Sequence, residues 1–171
     1  MSKLQELGEF AAEMGTIALT VGVDMTEGLE KCKPIVAEQV RLNFETAGTQ
    51  EGGWPARQGN RGHRTLIESG ALMAAATGEG PGHIERIENG NELVWGVTTG
   101  VQQGGIPGAA VHQYGATIRP VKAQFLAFEV DGKKIFAKEV TIPPRPYLVI
   151  GEEAKEKIAD VLADALIEEI G

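Results

Sequence analysis

The chain has 171 residues, a size that suits one domain with or without an extra arm. Sixteen Lys and Arg stand against 24 Asp and Glu, and the resulting net charge of −8 opposes wrapping of duplex DNA. A single cysteine, Cys32, excludes both an intrachain disulfide and a zinc-finger cluster.

Apolar positions at Leu4, Leu7, Ala11, Met14 and Ala18 recur at helical spacing and predict a helix over 3–18, interrupted by Gly8 and Gly15. Thr16–Val23 is also compatible with an extended segment. Residues 1–24 thus read as an N-terminal arm or short helix, ahead of a single domain at 25–171. A second helix is predicted over 25–47, where Leu29, Cys32, Val36, Val40 and Phe44 form one stripe. Cys32 reads as a small buried hydrophobe within it. Asp24 and Glu27 resemble a capping box, and Pro34 should kink the helix or open its stronger half.

Gly48–Arg64 reads as a long polar loop. Arg57, Arg61 and Arg64 give the stretch from Trp54 to Ile67 a charge of +3, because no acid lies there. Thr65 with Glu68, or Ser69, can cap a short helix that ends near Thr77. The middle of the chain is β-rich. Strands at His83–Glu88 and Glu92–Thr98 flank Asn89-Gly90-Asn91, a hairpin turn, with Leu93, Trp95 and Val97 on one face. A glycine-rich loop over Gly100–Gly108 leads to a turn or short helix around Ala109–Tyr114. Gln124–Val130 and Lys134–Val140 surround Asp131-Gly132, the strongest hairpin signal in the chain. Leu126, Phe128 and Val130 alternate as a half-buried strand requires. Pro143-Pro144-Arg145-Pro146 then ends any strand. Glu152–Ile170 is amphipathic, with Ile158, Val161, Leu162, Ala165, Leu166 and Ile170 facing inward. Seven acids against two lysines give Gly151–Gly171 a charge of −5. The expected fold is α+β: an antiparallel sheet with hairpins, packed against a long N-terminal helix and a C-terminal amphipathic helix.

Catalytic signatures are scarce. Ser2 and Ser69 are the two serines, and Ser69 lacks the glycine two residues earlier that a nucleophile elbow needs. Gly132-Lys133 is followed by Lys134, so the phosphate loop is absent. In Gly78-Glu-Gly-Pro-Gly82, Pro81 removes a backbone donor that would hold phosphate. His63, His83 and His112 have no histidine partner at i+4 for a metal site on a helix. No catalytic, cofactor or metal site is therefore expected. The longest apolar run, Ala71–Ala76, is far short of the roughly 18 residues that a membrane span needs. The N-terminal residues lack a signal-peptide pattern, so a soluble product made in the cytosol is expected.

Three segments form an ordered set. The first holds Phe44, Gly53-Trp54-Pro55 and Leu66-Ile-Glu-Ser-Gly-Ala-Leu72. The second is Ala109-Ala-Val-His-Gln-Tyr-Gly115. The third holds Ile135-Phe-Ala-Lys138 and Ile142-Pro-Pro-Arg-Pro-Tyr-Leu148, followed by the amphipathic helix. This set resembles the phage virion morphogenesis (tail completion) family over roughly residues 30–170. Pro144 departs from the small residue expected before Arg145-Pro146, and the first 25 or so residues lie outside the resemblance. The resemblance implies a structural protein at the head–tail junction of the virion, similar to tail terminator and neck proteins. Such a protein forms a ring, commonly sixfold, that caps the tail tube and meets the head connector. Genomic DNA passes through its lumen without specific binding. The alternative within this class is a neck or head-completion protein that binds the connector first.

The residues themselves add candidates for these roles. Arg57, Arg61 and Arg64 can pair with carboxylates of a neighbouring subunit, face solvent, or let DNA slide past. Trp54 is a lid on the core or an interface anchor. His112, Gln113 and Gly115, with Pro143 and Pro146, can lock a loop through side-chain-to-backbone hydrogen bonds. Gln113 and Tyr114 can also face a partner. Arg145, held between prolines, can anchor a buried carboxylate or reach a partner. A remote alternative is a small hydrolase using His112 with Glu85 or Glu92 as base.

Overall fold

The computed structural model describes residues 8–13, 16–22, 24–48, 52–56, 65–67, 69–98, 101–103, 106–107 and 109–170. Strands β1 (Gly8–Glu13) and β2 (Thr16–Val21) precede helix α1 (Thr26–Glu45). Helix α2 (Ala71–Ala76) leads into β3 (His83–Glu88) and β4 (Glu92–Val97). After the short β5 (Gln102–Gln103) and β6 (Ile106–Pro107) come helix α3 (Ala109–Tyr114) and β7 (Ala116–Ile118). Strands β8 (Leu126–Val130), β9 (Lys133–Ala137) and β10 (Val140–Ile142) precede the closing helix α4 (Glu152–Ile170).

The main sheet has the order β1-β2-β4-β3, with every neighbouring pair antiparallel. Leu19 of β2 lies directly across from Leu93 of β4, and both are buried. The helix expected over 3–18 is therefore corrected to a hairpin of two strands for the residues described there. Gly8 and Gly15 weaken a helix, while Ile17, Leu19 and Val21 alternate with a period of two. Pairing with the distant β4 decides between the two patterns.

Helix α1 follows the predicted stripe, with Leu29, Cys32, Val36, Val40 and Phe44 all buried. It continues through Pro34. Its start differs from a capping box. The Asp24 carboxylate instead accepts from the Thr26 N–H at 3.1 Å and from the Thr26 hydroxyl at 2.9 Å. The Met25 N–H donates to the Gly90 carbonyl, which seats the β3–β4 turn on the helix start. Asn89 and Gly90 both have positive φ, as their turn chemistry predicts.

Helix α4 packs against α1 through Ala154, Ile158, Ala159 and Leu162. A Cβ on Gly28 would lie 3.1 Å from Ala165 and 3.2 Å from Leu162, so this glycine sets how closely the two helices approach. Trp95 of β4 donates its indole N–H to the Ala76 carbonyl at 2.8 Å and so fixes α2 to the sheet. Burial of each large aliphatic side chain in this core stabilises the fold by about 1.5–3 kcal/mol.

Residues 116–142 leave this body and return to it. Strands β7 and β10 pair at the base, and β8 and β9 pair beyond them. Asp131 and Gly132, both at positive φ, make the two-residue turn at the tip. No residue from Tyr114 to Thr141 is buried. Of the face expected to be half-buried, Leu126 and Val130 are so, whereas Phe128 and its partner across the ribbon, Ile135, remain exposed.

Candidate functional site

The proline-rich segment after β10 cannot form a ladder, because Pro143, Pro144 and Pro146 have no N–H. Its remaining backbone groups must find side-chain partners once buried. They find them on three separate elements. From α1, the Asn43 amide donates to the carbonyls of Tyr147 at 3.0 Å and Val149 at 2.8 Å. The Gln39 amide in turn donates to the Asn43 side-chain oxygen at 2.8 Å. From α3, the Gln113 carboxamide oxygen accepts from the Tyr147 N–H at 2.9 Å and the Leu148 N–H at 3.0 Å. Its amide also donates to the Leu148 carbonyl at 3.3 Å.

The exchange runs both ways. Tyr147 is fully buried and donates its phenol to the Ala109 carbonyl at 3.1 Å. Burial pushes that phenol well above its ordinary titration range, so it stays protonated as a donor. The Arg145 N–H donates to the His112 carbonyl at 2.7 Å. Gly115 has positive φ, and a Cβ there would lie 2.8 Å from the Ile142 carbonyl oxygen, so a side chain is doubly excluded.

The loop after α1 completes the junction. Ala47 and Gly48 reverse the chain at positive φ. A Cβ on Gly48 would collide with the Trp54 indole, so glycine lets the ring settle. Trp54 is half-buried, stands edge-on to Phe44 at 5.7 Å, and donates its N–H to the Pro146 carbonyl at 3.1 Å. Phe44 also packs against Tyr147 at 5.3 Å. Trp54 is therefore placed as a lid on the core. Arg145 is buried and donates to the carbonyls of Pro55 at 3.0 Å and Ala56 at 3.3 Å.

Phe44 with Trp54, the Ala109–Gly115 segment and the Arg145–Leu148 segment thus meet in one place. Gln113, read as a loop lock or a partner contact, and Arg145, read as an internal anchor or a partner contact, are both buried and bonded within the chain. Among the described residues, the Arg145 guanidinium bonds the carbonyls of Pro55 and Ala56. Tyr114 remains exposed at 46%. Arg57, Arg61 and Arg64 lie outside the described residues, as does Glu68 of the proposed α2 cap. Sequence reasoning missed Asn43 and Gln39. Their i, i+4 spacing beside the apolar stripe was the available signal.

The junction offers satisfied donors and acceptors around aromatic rings, a chemistry that fixes shape. Elsewhere, the Glu85 carboxylate is engaged by Lys33 at 2.8 Å and lies 3.4 Å from the His83 ring. The hydrogen bond from Lys33 holds this carboxyl below its ordinary value. His112 is buried in α3, with Arg145 bonded to its carbonyl. Among the described residues, no group of three or more His, Cys, Asp or Glu is arranged to hold a metal. No described helix is long and apolar enough to cross a membrane.

The model of the phage virion morphogenesis family matches residues 34–167. The chain belongs to that family. It is a bacteriophage protein of virion assembly, from a structural family. No curated protein and no solved structure matches it.

Proposed function

We infer that this virion-assembly protein acts by binding other proteins rather than by catalysis. It is a tail-completion protein that forms a ring on the end of the tail tube and joins the tube to the head connector. Family membership supports the assembly role. The observation that carries the ring is the arm from Tyr114 to Thr141, which has no buried residue and yet presents Phe128, Ile135 and Phe136 to solvent. A two-stranded ribbon gains little stability alone, and exposed apolar surface of this kind suits a protein partner. Genomic DNA crosses the lumen of such a ring without specific contacts, as the net charge of −8 favours.

Light scattering of the purified chain, followed by electron microscopy after mixing with tail tubes, tests this reading. The expected result is a multimer of uniform mass seated at one end of each tube. A monomer that leaves tube ends bare overturns it. Retention by purified heads and not by tails would instead assign the chain to the neck.

A further inference from the structure

We propose that the arm of one copy docks into the cleft between α1 and α4 of a second copy, with Phe136 as the anchor. The proposal deepens the ring reading, on which its head-to-tail arrangement rests.

The anchor follows from the strand pattern. Register across the ribbon puts Lys134 and Phe136 on one face, opposite Glu129 and Ala127. Lys138 follows one residue beyond the strand. Phe136 is 66% exposed, the most exposed aromatic described. A large ring presented between two lysines seeks an apolar hollow flanked by acids. Aromatic side chains seated in such hollows dominate many interfaces.

The same chain carries a hollow of that kind. A cleft of about 280 Å³ lies between α1 and α4. Pro34, Ile35, Leu42 and Ala154 supply its apolar lining, Gln39 adds a polar edge, and Glu38, Glu153 and Lys157 stand at its walls. Both glutamates are largely exposed, at 72% and 76% of their side chains. Glu153 pairs with Lys157 at 2.7 Å and Glu38 lies 3.5 Å from Arg41, so each carboxylate retains open faces for a further cation.

The wider charges agree. Residues 116–142 carry five basic and three acidic side chains, a net of +2. Helix α4 carries a net of −5. Opposite potentials on two different faces of one chain favour a head-to-tail contact between copies. Repetition of that contact closes a ring when the rotation allows.

Cysteine cross-linking tests the pairing. Cys32 is fully buried and leaves little background. Phe136→Cys and Glu38→Cys are prepared as separate proteins, mixed and oxidised. The expected product is a disulfide-linked dimer that forms in the mixture and in neither protein alone. A chain carrying both changes should give a ladder of linked oligomers. Failure of both to link, in protein that light scattering shows to be either assembled or monomeric, overturns the pairing. So does linkage of Phe136→Cys to itself, which would mean that arms meet arms. Phe136→Glu supplies a second reading, and should weaken self-association by about tenfold or more while leaving circular dichroism unchanged. Unchanged self-association contradicts the proposal. A linked ladder from protein that never binds tail tubes would keep the pairing and remove the tail placement.

Discussion

Gln113 and Tyr147 are joined at 2.9 Å by the side-chain oxygen of one and the backbone N–H of the other, and the same oxygen also takes the N–H of Leu148. One carboxamide thus does for a proline-rich segment what a neighbouring strand does elsewhere. Gln113→Leu keeps the bulk and leaves two buried N–H groups without their acceptor. It should destabilise the chain by about 2–4 kcal/mol in urea unfolding. A loss below about 1 kcal/mol would show that other groups rescue those donors.

Asn43 holds the following carbonyls from the opposite side. Asn43→Ala should cost about 2–3 kcal/mol, since it strips the donor from two carbonyls and the acceptor from Gln39. Both residues grip one short segment, so their effects should not add. A double-mutant cycle should give a coupling of about 0.5 kcal/mol or more. Strict additivity would mean that the two grips are independent.

Much of this was legible in the sequence where the governing physics is local. Asn89-Gly90 and Asp131-Gly132 name their hairpins through φ alone, and the stripes of α1 and α4 follow from period. A lock built from Gln113 was also within reach, because its carboxamide offers both donor and acceptor two residues before the turn at Gly115. The N-terminal hairpin was only half legible, since Thr16–Val23 could be read as extended while the segment before it read as helix. Its strand character depends on pairing with β4, more than 70 residues away. The targets of Arg145 were hidden for the same reason, since nothing near it in sequence points to the carbonyls of Pro55 and Ala56.

Lys33 links α1 to β3 through Glu85 and also reaches Glu30 at 2.6 Å. The hydrogen bond from Lys33 lowers the Glu85 pKa below 4.5. A carboxyl depressed in the folded state stabilises that state above its unfolded value, and the benefit is lost as pH falls through the folded one. Lys33→Met should therefore cost about 0.5–1 kcal/mol near neutral pH, a small value because Glu85 is partly solvated. The difference from the parent should vanish in acid well below 4.5. A difference that persists there would assign the loss to packing of the lysine stem.

Cys32 is fully enclosed, and burial pushes its thiol up to about 12. A thiol reagent should leave the native protein unlabelled at mildly alkaline pH and label it completely in denaturant. Rapid native labelling would show that the α1–α4 core opens far more often than its packing implies.

The placement of this protein at the end of the tail is most directly tested by imaging tail tubes before and after the purified chain is added. The account predicts a ring that covers one end of each tube, with tubes so capped becoming competent to join heads. Tube ends that stay bare, while the added chain sediments alone, would contradict it.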